Sequence, residues 1–281
     1  AVEYLRKNLP RALRALVKRI GIARELARFR EVGQLLYVPP PDAKTGIIEQ
    51  FDGYFQLREA KVEELKARMV HPNEYLGAGQ GLAVPTKVIK QADVVMMLNL
   101  FKTRFSAEIK RANWEYYEPR TEHGSSLSAC AYAIVATEFG KLDVAYSYFL
   151  KTAKIDLEAK YKIYVGTIFM GGSHPAANGG AWMTAVFGFG GVRADEKGIV
   201  IDPRLFSKWE SLQFNLAYQG DGFQIKITKT SVTIAAQPAN SREHVILVSG
   251  KRAKCIAGKS VAIRYQPSRV GRGRARTGAG L

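Results

Sequence analysis

Hydrophobic positions recur with a helical period through the first two-thirds of the chain and alternate with a strand period in the last third. The proline at position 10 is expected to interrupt the first helical stretch. The segment LLYVPPP at 35–41 is expected to be extended, since residues before proline favour β or polyproline geometry. The apolar spacing predicts helices at 3–20, 22–31, 58–70, 85–101, 103–114, 126–139, 141–156 and 175–187.

After Gly190 and Gly191 the pattern changes to short alternating segments separated by Gly, Asp, Asn and Pro. Such segments are typical of a small antiparallel β domain. They lie at 198–203, 211–219, 222–230, 231–237, 243–250 and 259–265. The prediction is therefore a mainly α protein with a β appendix, divided into a helical domain at 1–190, a β domain at 191–265 and a disordered basic tail at 266–281. Several helices look apolar all round, which favours part of a larger helical assembly.

The formal net charge of +17 invites a nucleic-acid function, but the charge is concentrated at the two ends. Residues 1–30 hold nine Lys or Arg against two acidic residues, and the tail adds four arginines without an acid. The basic helices are interpreted as a solvated face. Four arginines in a tail are thin support, so no nucleic-acid partner is expected.

Cys130 and Cys255 have no metal-ligand or disulfide-framework spacing, which favours a reduced, cytoplasmic setting. The four histidines, His71, His123, His174 and His244, show no ligand spacing either, so no metal is predicted. No 18-residue apolar run and no signal peptide is found, and no membrane association is expected. Because position 1 is Ala, we expect the chain to be cut from a longer one.

The stretch YYEPRTEHGSSLS at 116–128 introduces an apolar helix with an unusual number of polar groups. Ser125 or Ser126 could serve only as the helix N-cap, and spacing alone favours this interpretation. The alternative is an anion site at the same free N–H groups, to which His123 adds a donor and Gly124 a close backbone approach. A carboxylate at Glu122 counts against the anion site.

Lys90 and Gln91 are unusual inside the apolar stretch at 85–101, because a buried lysine needs a partner. Either they lie on a solvent face, or they point into a polar cavity that binds hydroxyls or phosphate. Three glycine clusters, at 77–81, 171–180 and 188–191, lack dinucleotide-binding spacing. His174, within the second cluster, is interpreted as a structural or substrate-contacting residue.

Several of these motifs together resemble glycoside hydrolase family 65. They are EQFDGYF (49–55), VIKQADVV (88–95), YYEPRTEHGSSLS (116–128), GGSHPAANGGAW (171–182) and VFGFGGVR (186–193), in the family's order, and the resemblance covers residues 35–228. The family contains inverting phosphorylases of α-linked glucose disaccharides such as maltose, trehalose, kojibiose and nigerose, together with hydrolases such as acid trehalases. The resemblance implies the second half of an (α/α)6 barrel followed by the family's small C-terminal β domain.

The resemblance also implies roles for individual residues. Inorganic phosphate would be a co-substrate rather than a cofactor, held by Lys90, His123, Gly124, Ser125 and Ser126, while Gln91 would contact the sugar. No cofactor is implied. Phosphate replaces water as the nucleophile, so an anion socket takes the place of a second catalytic carboxylate. The intact HGSS and IKQ motifs favour phosphorolysis to β-glucose 1-phosphate over hydrolysis.

The family's general acid lies in a stretch like GPDEYHE, and no such stretch is present here. Glu63, Glu74, Glu115 and Glu118 do not occupy that motif, so no catalytic residue is assigned within this chain, and the chain alone is expected to be inactive. The implied partners are a disaccharide and phosphate, with either a second copy in a dimeric full enzyme or a missing N-terminal half. The alternatives are an acid-trehalase-like hydrolase and a non-catalytic carbohydrate-binding subunit.

Overall fold

The computed structural model describes residues 2–158, 164–165, 168–169, 172–195 and 198–266. The chain forms two compact units, residues 1–40 and 41–281. The predicted tail falls outside the described residues, apart from position 266. Among the described residues, no helix combines the length and apolarity that crossing a membrane requires.

The first unit is built from three basic helices, α1 (Val2–Asn8), α2 (Pro10–Ile20) and α3 (Ala23–Leu35). Pro10 starts α2, where its missing N–H costs nothing, so the predicted interruption is confirmed. Gly21 ends α2 in the left-handed region at φ 69°, and its N–H donates to the carbonyl of Val17. Only Leu13 of these helices is buried, and the arginines and lysines of α2 are exposed to solvent, as predicted.

The helical part of the second unit is organised around α7 (Ser128–Glu138), in which ten consecutive residues from Ser128 to Thr137 are buried. A helix that is apolar all round must be surrounded, and α7 packs against four other helices and a π-helical turn. The other helices are α4 (Val62–Lys66), α5 (Asp93–Leu100), α6 (Ala107–Tyr117), α8 (Leu142–Ala153), α9 (Ile155–Glu158) and α10 (Pro175–Met183), with π-helical turns continuing α10 over Thr184–Phe189.

The helix predicted at 85–101 begins only at Asp93, so the prediction was wrong for its first eight residues. The chain before Asp93 is extended because its backbone pairs with two other segments, through bridges Arg58↔Thr86 and Ile89↔Thr121. Lys90 and Gln91 therefore lie outside α5. The helix predicted at 58–70 shortens to α4, which buries only Val62 and Leu65.

Two four-stranded sheets form the β domain. One has the strand order β10-β7-β6-β5 and is antiparallel throughout; the other has the order β3-β4-β8-β9. These strands are β3 (Val192–Asp195), β4 (Gly198–Ile201), β5 (Ser211–Tyr218), β6 (Asp221–Thr228), β7 (Ser231–Ala236), β8 (His244–Val248), β9 (Lys251–Cys255) and β10 (Ser260–Arg264), preceded by a hairpin of β1 (Tyr164–Val165) and β2 (Ile168–Phe169).

The six predicted strands and the mainly antiparallel β domain are confirmed. The exception is the pair β4 and β8, which is parallel with Ile199 opposite Ile246. The strands β3 and β9 were not predicted. In β9 only Ala253 and Cys255 are buried, and three of its five residues are basic, so alternation was hard to detect.

Aromatic residues on both sides of the predicted boundary at 190 and 191 share one core. Phe206, from the loop between β4 and β5, belongs to the helical core and stacks on Tyr146 of α8, with ring centroids 4.1 Å apart. Val186 of the π-helical turns belongs to the β core. The helical and β parts therefore lie within one compact unit, and the boundary stays a prediction.

Replacing Ile225 with alanine should destabilise the β domain. This side chain of β6 is fully buried between Phe214 and Ile234 of the neighbouring strands. Truncation leaves a cavity and should lower the free energy of unfolding by about 2–5 kcal/mol, measured by urea denaturation. The control Ile256→Ala removes the same atoms from a side chain that is 39% exposed, and should cost less than about 1 kcal/mol. Equal losses for both variants would contradict this packing.

Candidate functional site

The loop that precedes α7 is held by backbone pairing at its start and by a serine turn at its end. Ile89 donates to the carbonyl of Arg120 at 2.9 Å and accepts from the N–H of Glu122 at 2.8 Å. The Ser125 hydroxyl accepts from the N–H of Leu127 at 3.3 Å, and its carbonyl accepts from the N–H of Ser128 at 3.1 Å. The helix starts at Ser128, two residues later than predicted, and Leu127 stands at the cap position.

The two serines therefore have different roles. The Ser125 hydroxyl satisfies one amide of the turn. The helix N-cap is Leu127, without a side-chain cap hydrogen bond, so the serine cap that spacing alone favoured was wrong. The Ser126 hydroxyl makes no hydrogen bond to any of the described residues, and it lines a cavity of about 730 Å³. A hydroxyl without a protein partner beside a cavity can donate to a bound ligand.

The imidazole of His123 is fully engaged by hydrogen bonds to its neighbours. Tyr148 donates its single phenolic proton to the Glu118 carboxylate at 2.6 Å, so its oxygen accepts from Nε2 of His123 at 3.0 Å. The other ring nitrogen, Nδ1, then accepts from the Ser128 hydroxyl at 3.2 Å. We assign the neutral Nε2–H tautomer from this network.

The surroundings of His123 favour the same neutral state. Burial, with a smaller contribution from the ammonium of Lys151, lowers the pKa of His123 from 6.5 to about 4. The ring contacts Tyr132 and Tyr148, with centroids 4.9 and 5.0 Å away. The backbone of His123 has φ 52°, a left-handed conformation that is uncommon for residues other than glycine. Ring and backbone together fix the direction in which the loop leaves His123.

Lysine side chains make the cavity electropositive. One side of its lining is residues 123–126, and Lys66 lies at the end of α4. The end of α8 and the start of α9 add Leu150, Lys151, Thr152, Lys154 and Ile155. Lys151 donates to the carbonyl of His123 at 3.0 Å. Partial burial, with a smaller contribution from the ammonium of Lys66, lowers the pKa of Lys151. Both lysines line the same cavity. Lys154 is paired with Glu158 at 2.9 Å, and Glu122 also lines the cavity, where its carboxylate accepts from the N–H of Leu76.

Gly124 allows close contact between the loop and Tyr75. A Cβ atom at this position would lie 3.0 Å from two carbons of the Tyr75 ring and 3.2 Å from the Glu122 carboxyl carbon. The same Tyr75 ring carries the Lys90 ammonium, 4.0 Å from its centroid. Tyr75 thus contacts both Gly124 and Lys90.

Lys90 and Gln91 lie apart from the serines. Lys90 lines a second cavity, of about 260 Å³, together with Gln50 and Asp93, and Glu122 lines both cavities. The Gln91 amide donates to Asp93 at 3.3 Å, and the Gln50 amide donates to the other oxygen of Asp93 at 2.7 Å. The structure therefore brings together His123, Gly124, Ser125 and Ser126, and it places the Lys-Gln pair in a neighbouring position. The assignment of these residues to phosphate and sugar stays a prediction.

Other polar residues near the cavity were not singled out from the sequence. Tyr148, Lys151 and Thr152 share one face of α8 at helical spacing, which is the one signal that could have identified them. Lys66 could not be identified from the sequence, because it is one of several charged residues in its helix. His174 precedes α10 and is bound to Asp156 of α9, through Nδ1 at 2.7 Å and through its N–H. Within the described part of the chain, no cluster of three His, Cys, Asp or Glu side chains could hold a metal ion.

Comparison with known proteins places this geometry in a family. The profile of the glycosyl hydrolase family 65 central catalytic domain matches residues 5–183, and the profile of the family's C-terminal domain matches residues 192–254. The chain belongs to glycosyl hydrolase family 65. The predicted resemblance is confirmed, and the lysine-lined cavity lies within the part that matches the catalytic domain.

Similar members of family 65 are phosphorylases. The chain is 43% identical to nigerose phosphorylase of Lachnoclostridium phytofermentans, over 78% of this chain and 29% of that protein. It is 36% identical to 1,2-alpha-glucosylglycerol phosphorylase of Bacillus selenitireducens, over 90% of this chain and 33% of that protein. A solved structure described as a putative kojibiose phosphorylase from human microbiome superposes with a TM-score of 0.72 at 26% identity, over 89% of this chain and 33% of that one. The chain spans about a third of the length of these family members.

The network at His123 predicts a pH dependence of stability. The folded pKa is about 4 and the ordinary value is 6.5, so between these values the unfolded chain binds a proton that the folded chain does not. The contribution of His123 should be present above about pH 6.5 and lost as the pH falls towards 4. His123→Asn keeps a residue type that tolerates positive φ, and its melting temperature should fall less steeply than that of the wild type over this window. The control His71→Asn, at an exposed position, should follow the wild-type curve; identical slopes for wild type and His123→Asn would refute the assignment.

Proposed function

We propose that this chain carries the phosphate-binding side of an inverting α-glucoside phosphorylase of family 65. The observation that supports it most directly is the convergence of residues 123–126 with Lys66 and Lys151 on one cavity. A tetrahedral oxyanion needs several donors and compensating positive charge, and here a serine hydroxyl and two lysines face the same space. The similarity to enzymes that are themselves named phosphorylases supports the same reaction class.

The proposed reaction follows from a phosphate held next to the sugar. A phosphate oxygen attacks the anomeric carbon as the bond from that carbon to the leaving oxygen breaks. A general acid protonates the leaving oxygen, and attack from the opposite face gives β-glucose 1-phosphate and a free acceptor sugar. Ser125, Ser126 and the backbone at Gly124 would hold the phosphate, with the His123 ring shaping the loop. Lys90, which lines the neighbouring cavity, would help to hold the phosphate from the sugar pocket, and Gln91 beside it would contact the sugar.

The remaining expectations belong to the whole protein. The helices of residues 41–189 would form part of the second half of an (α/α)6 barrel, and the general acid would come from sequence outside this chain. We therefore expect no turnover by this chain alone, and a dimer of the full enzyme. Both cysteines are buried free thiols, which agrees with the cytoplasmic, reducing setting proposed from the sequence. No cofactor is required by this mechanism.

Phosphate binding by the purified chain tests the proposal. Isothermal titration calorimetry with inorganic phosphate should show one saturable site that Ser126→Ala weakens about tenfold or more, since a hydrogen bond to a charged group contributes about 1.5–3 kcal/mol. Lys151→Met should weaken binding similarly. The control Ser147→Ala alters an exposed serine of α8 that bonds only the Asp143 carbonyl, and should leave the affinity unchanged.

Three outcomes would contradict this function. Unchanged phosphate affinity in Ser126→Ala would remove the assignment of the cavity. Release of free glucose from kojibiose or nigerose without phosphate would favour the hydrolase. A chain that binds these disaccharides but not phosphate would favour the non-catalytic carbohydrate-binding subunit.

A further inference from the structure

A third cavity, rich in hydrogen-bond donors, lies where the helical part meets the β domain. The phosphorolysis proposed above does not use it. Its volume is about 400 Å³, within the size range of small-molecule sites. One wall comes from the end of α7 and the start of α8, at Thr137, Gly140 and Leu142. The facing wall is formed by the loop Pro203–Ser207, the β6–β7 turn at Lys229, and Tyr265.

The charges around this cavity are unbalanced. Glu138, at the end of α7, is bound by Lys110 at 2.9 Å and by Lys102 at 3.1 Å, and all three side chains are at most 17% exposed. Arg204 lines the cavity together with Thr137, the residue before Glu138, and so brings a third cation to this region. The neighbouring Arg193 and Asp202 neutralise each other in an ion pair at 2.7 Å. The cluster therefore keeps a surplus of positive charge in a partly desolvated place.

Arg204 directs that surplus towards the cavity. Its backbone N–H donates to the carbonyl of Phe189, which fixes the start of the side chain. Arg204 lines the cavity, and its guanidinium forms no hydrogen bond or ion pair within 4 Å among the residues that the structure describes. Burial lowers the pKa of Arg204, while Glu138 and Asp202 oppose the shift. A desolvated guanidinium with five unused donors is a fork that matches a carboxylate or phosphate group.

Additional donors accompany Arg204. The hydroxyl and amide of Ser207 have no partner in the described parts of the chain, and Ser207 lines the same cavity. Among the described residues Lys229 is bound only to Glu210, in a pair whose side chains are 52% and 88% exposed, so this ammonium can turn towards a ligand. Leu142, Leu205 and Phe206 add carbon surface to the lining. The hydroxyls of Thr137 and Tyr265, which also line it, already donate to backbone carbonyls. An inorganic anion would not contact that carbon surface, whereas an anion with an organic body would.

We propose that this cavity binds a small organic anion, with its carboxylate or phosphate group on Arg204 and Ser207 and its carbon body against Phe206 and the two leucines. The site is separate from the cavity at residues 123–126 and shares no lining residue with it. Phe206 also stacks on Tyr146 of α8. An occupant would therefore contact the helical core and the β domain at once.

Binding of phenyl phosphate and benzoate to the full 281-residue chain tests this site. The Nε–H signal of Arg204, identified by its loss in Arg204→Lys, should shift saturably during a titration followed by NMR. Calorimetry should show that Arg204→Lys weakens the tighter of the two probes about tenfold, because lysine keeps the charge beside Glu138 but loses the planar fork. Ser207→Ala, at an exposed position that folding does not require, should weaken the same probe several-fold.

Two controls separate this site from its surroundings and from the phosphate cavity. Arg193→Lys changes the neighbouring arginine that does not line the cavity, and should leave the probe affinity within about twofold of the wild-type value. Ser126→Ala should not alter it either. Unchanged probe affinity in Arg204→Lys, or an Arg204 signal that neither probe moves, would overturn the proposal. If inorganic phosphate binds only in a Ser126-dependent way and neither probe binds, this site is refuted while the phosphate cavity stands.

Discussion

The exchange of two backbone hydrogen bonds at Ile89 is the constraint on which the candidate site depends. Ile89 bonds Arg120 and Glu122 on either side of Thr121, and this joins two segments that are about thirty residues apart. The pairing holds the chain extended before α5 and presents Lys90 on one side. It also fixes the start of the loop that carries His123 and the serines. This backbone pairing fixes the distance between the cavity at Lys90 and the cavity at residues 123–126, independently of side-chain contacts.

Side-chain packing then completes what this pairing begins. The fully buried α7 receives the end of the loop, and the hydroxyl of its first residue, Ser128, reaches back to the His123 ring. A buried helix tolerates little displacement, because its neighbours occupy all sides. The loop that carries the serines is therefore anchored to a rigid element at its end. Electrostatics follows from the same arrangement, since α8 packs along α7 and brings Lys151 to the rim.

The sequence predicted this fold unevenly, and the reason is physical. Alternating strands such as β5, β6 and β7 were clear because one side of each is buried between sheets. The segment before α5 was misread because an apolar run without strict alternation has the same composition whether it is helical or extended. Only the partner strand decides between them, and the partner of Ile89 lies near Thr121. The parallel pairing of β4 with β8 is non-local in the same way.

For the site, the HGSS motif was found from local chemistry, whereas its supporting cations were not. Lys66 and Lys151 lie far from the motif along the chain and become relevant only after folding. The strained backbone of His123 gives this arrangement a thermodynamic consequence. A loop already fixed by its ring network and by Tyr75 would not lose conformational freedom when it binds an anion. The conformational entropy of the loop would instead be lost during folding. A larger part of the interaction free energy with the anion would then contribute to the binding affinity.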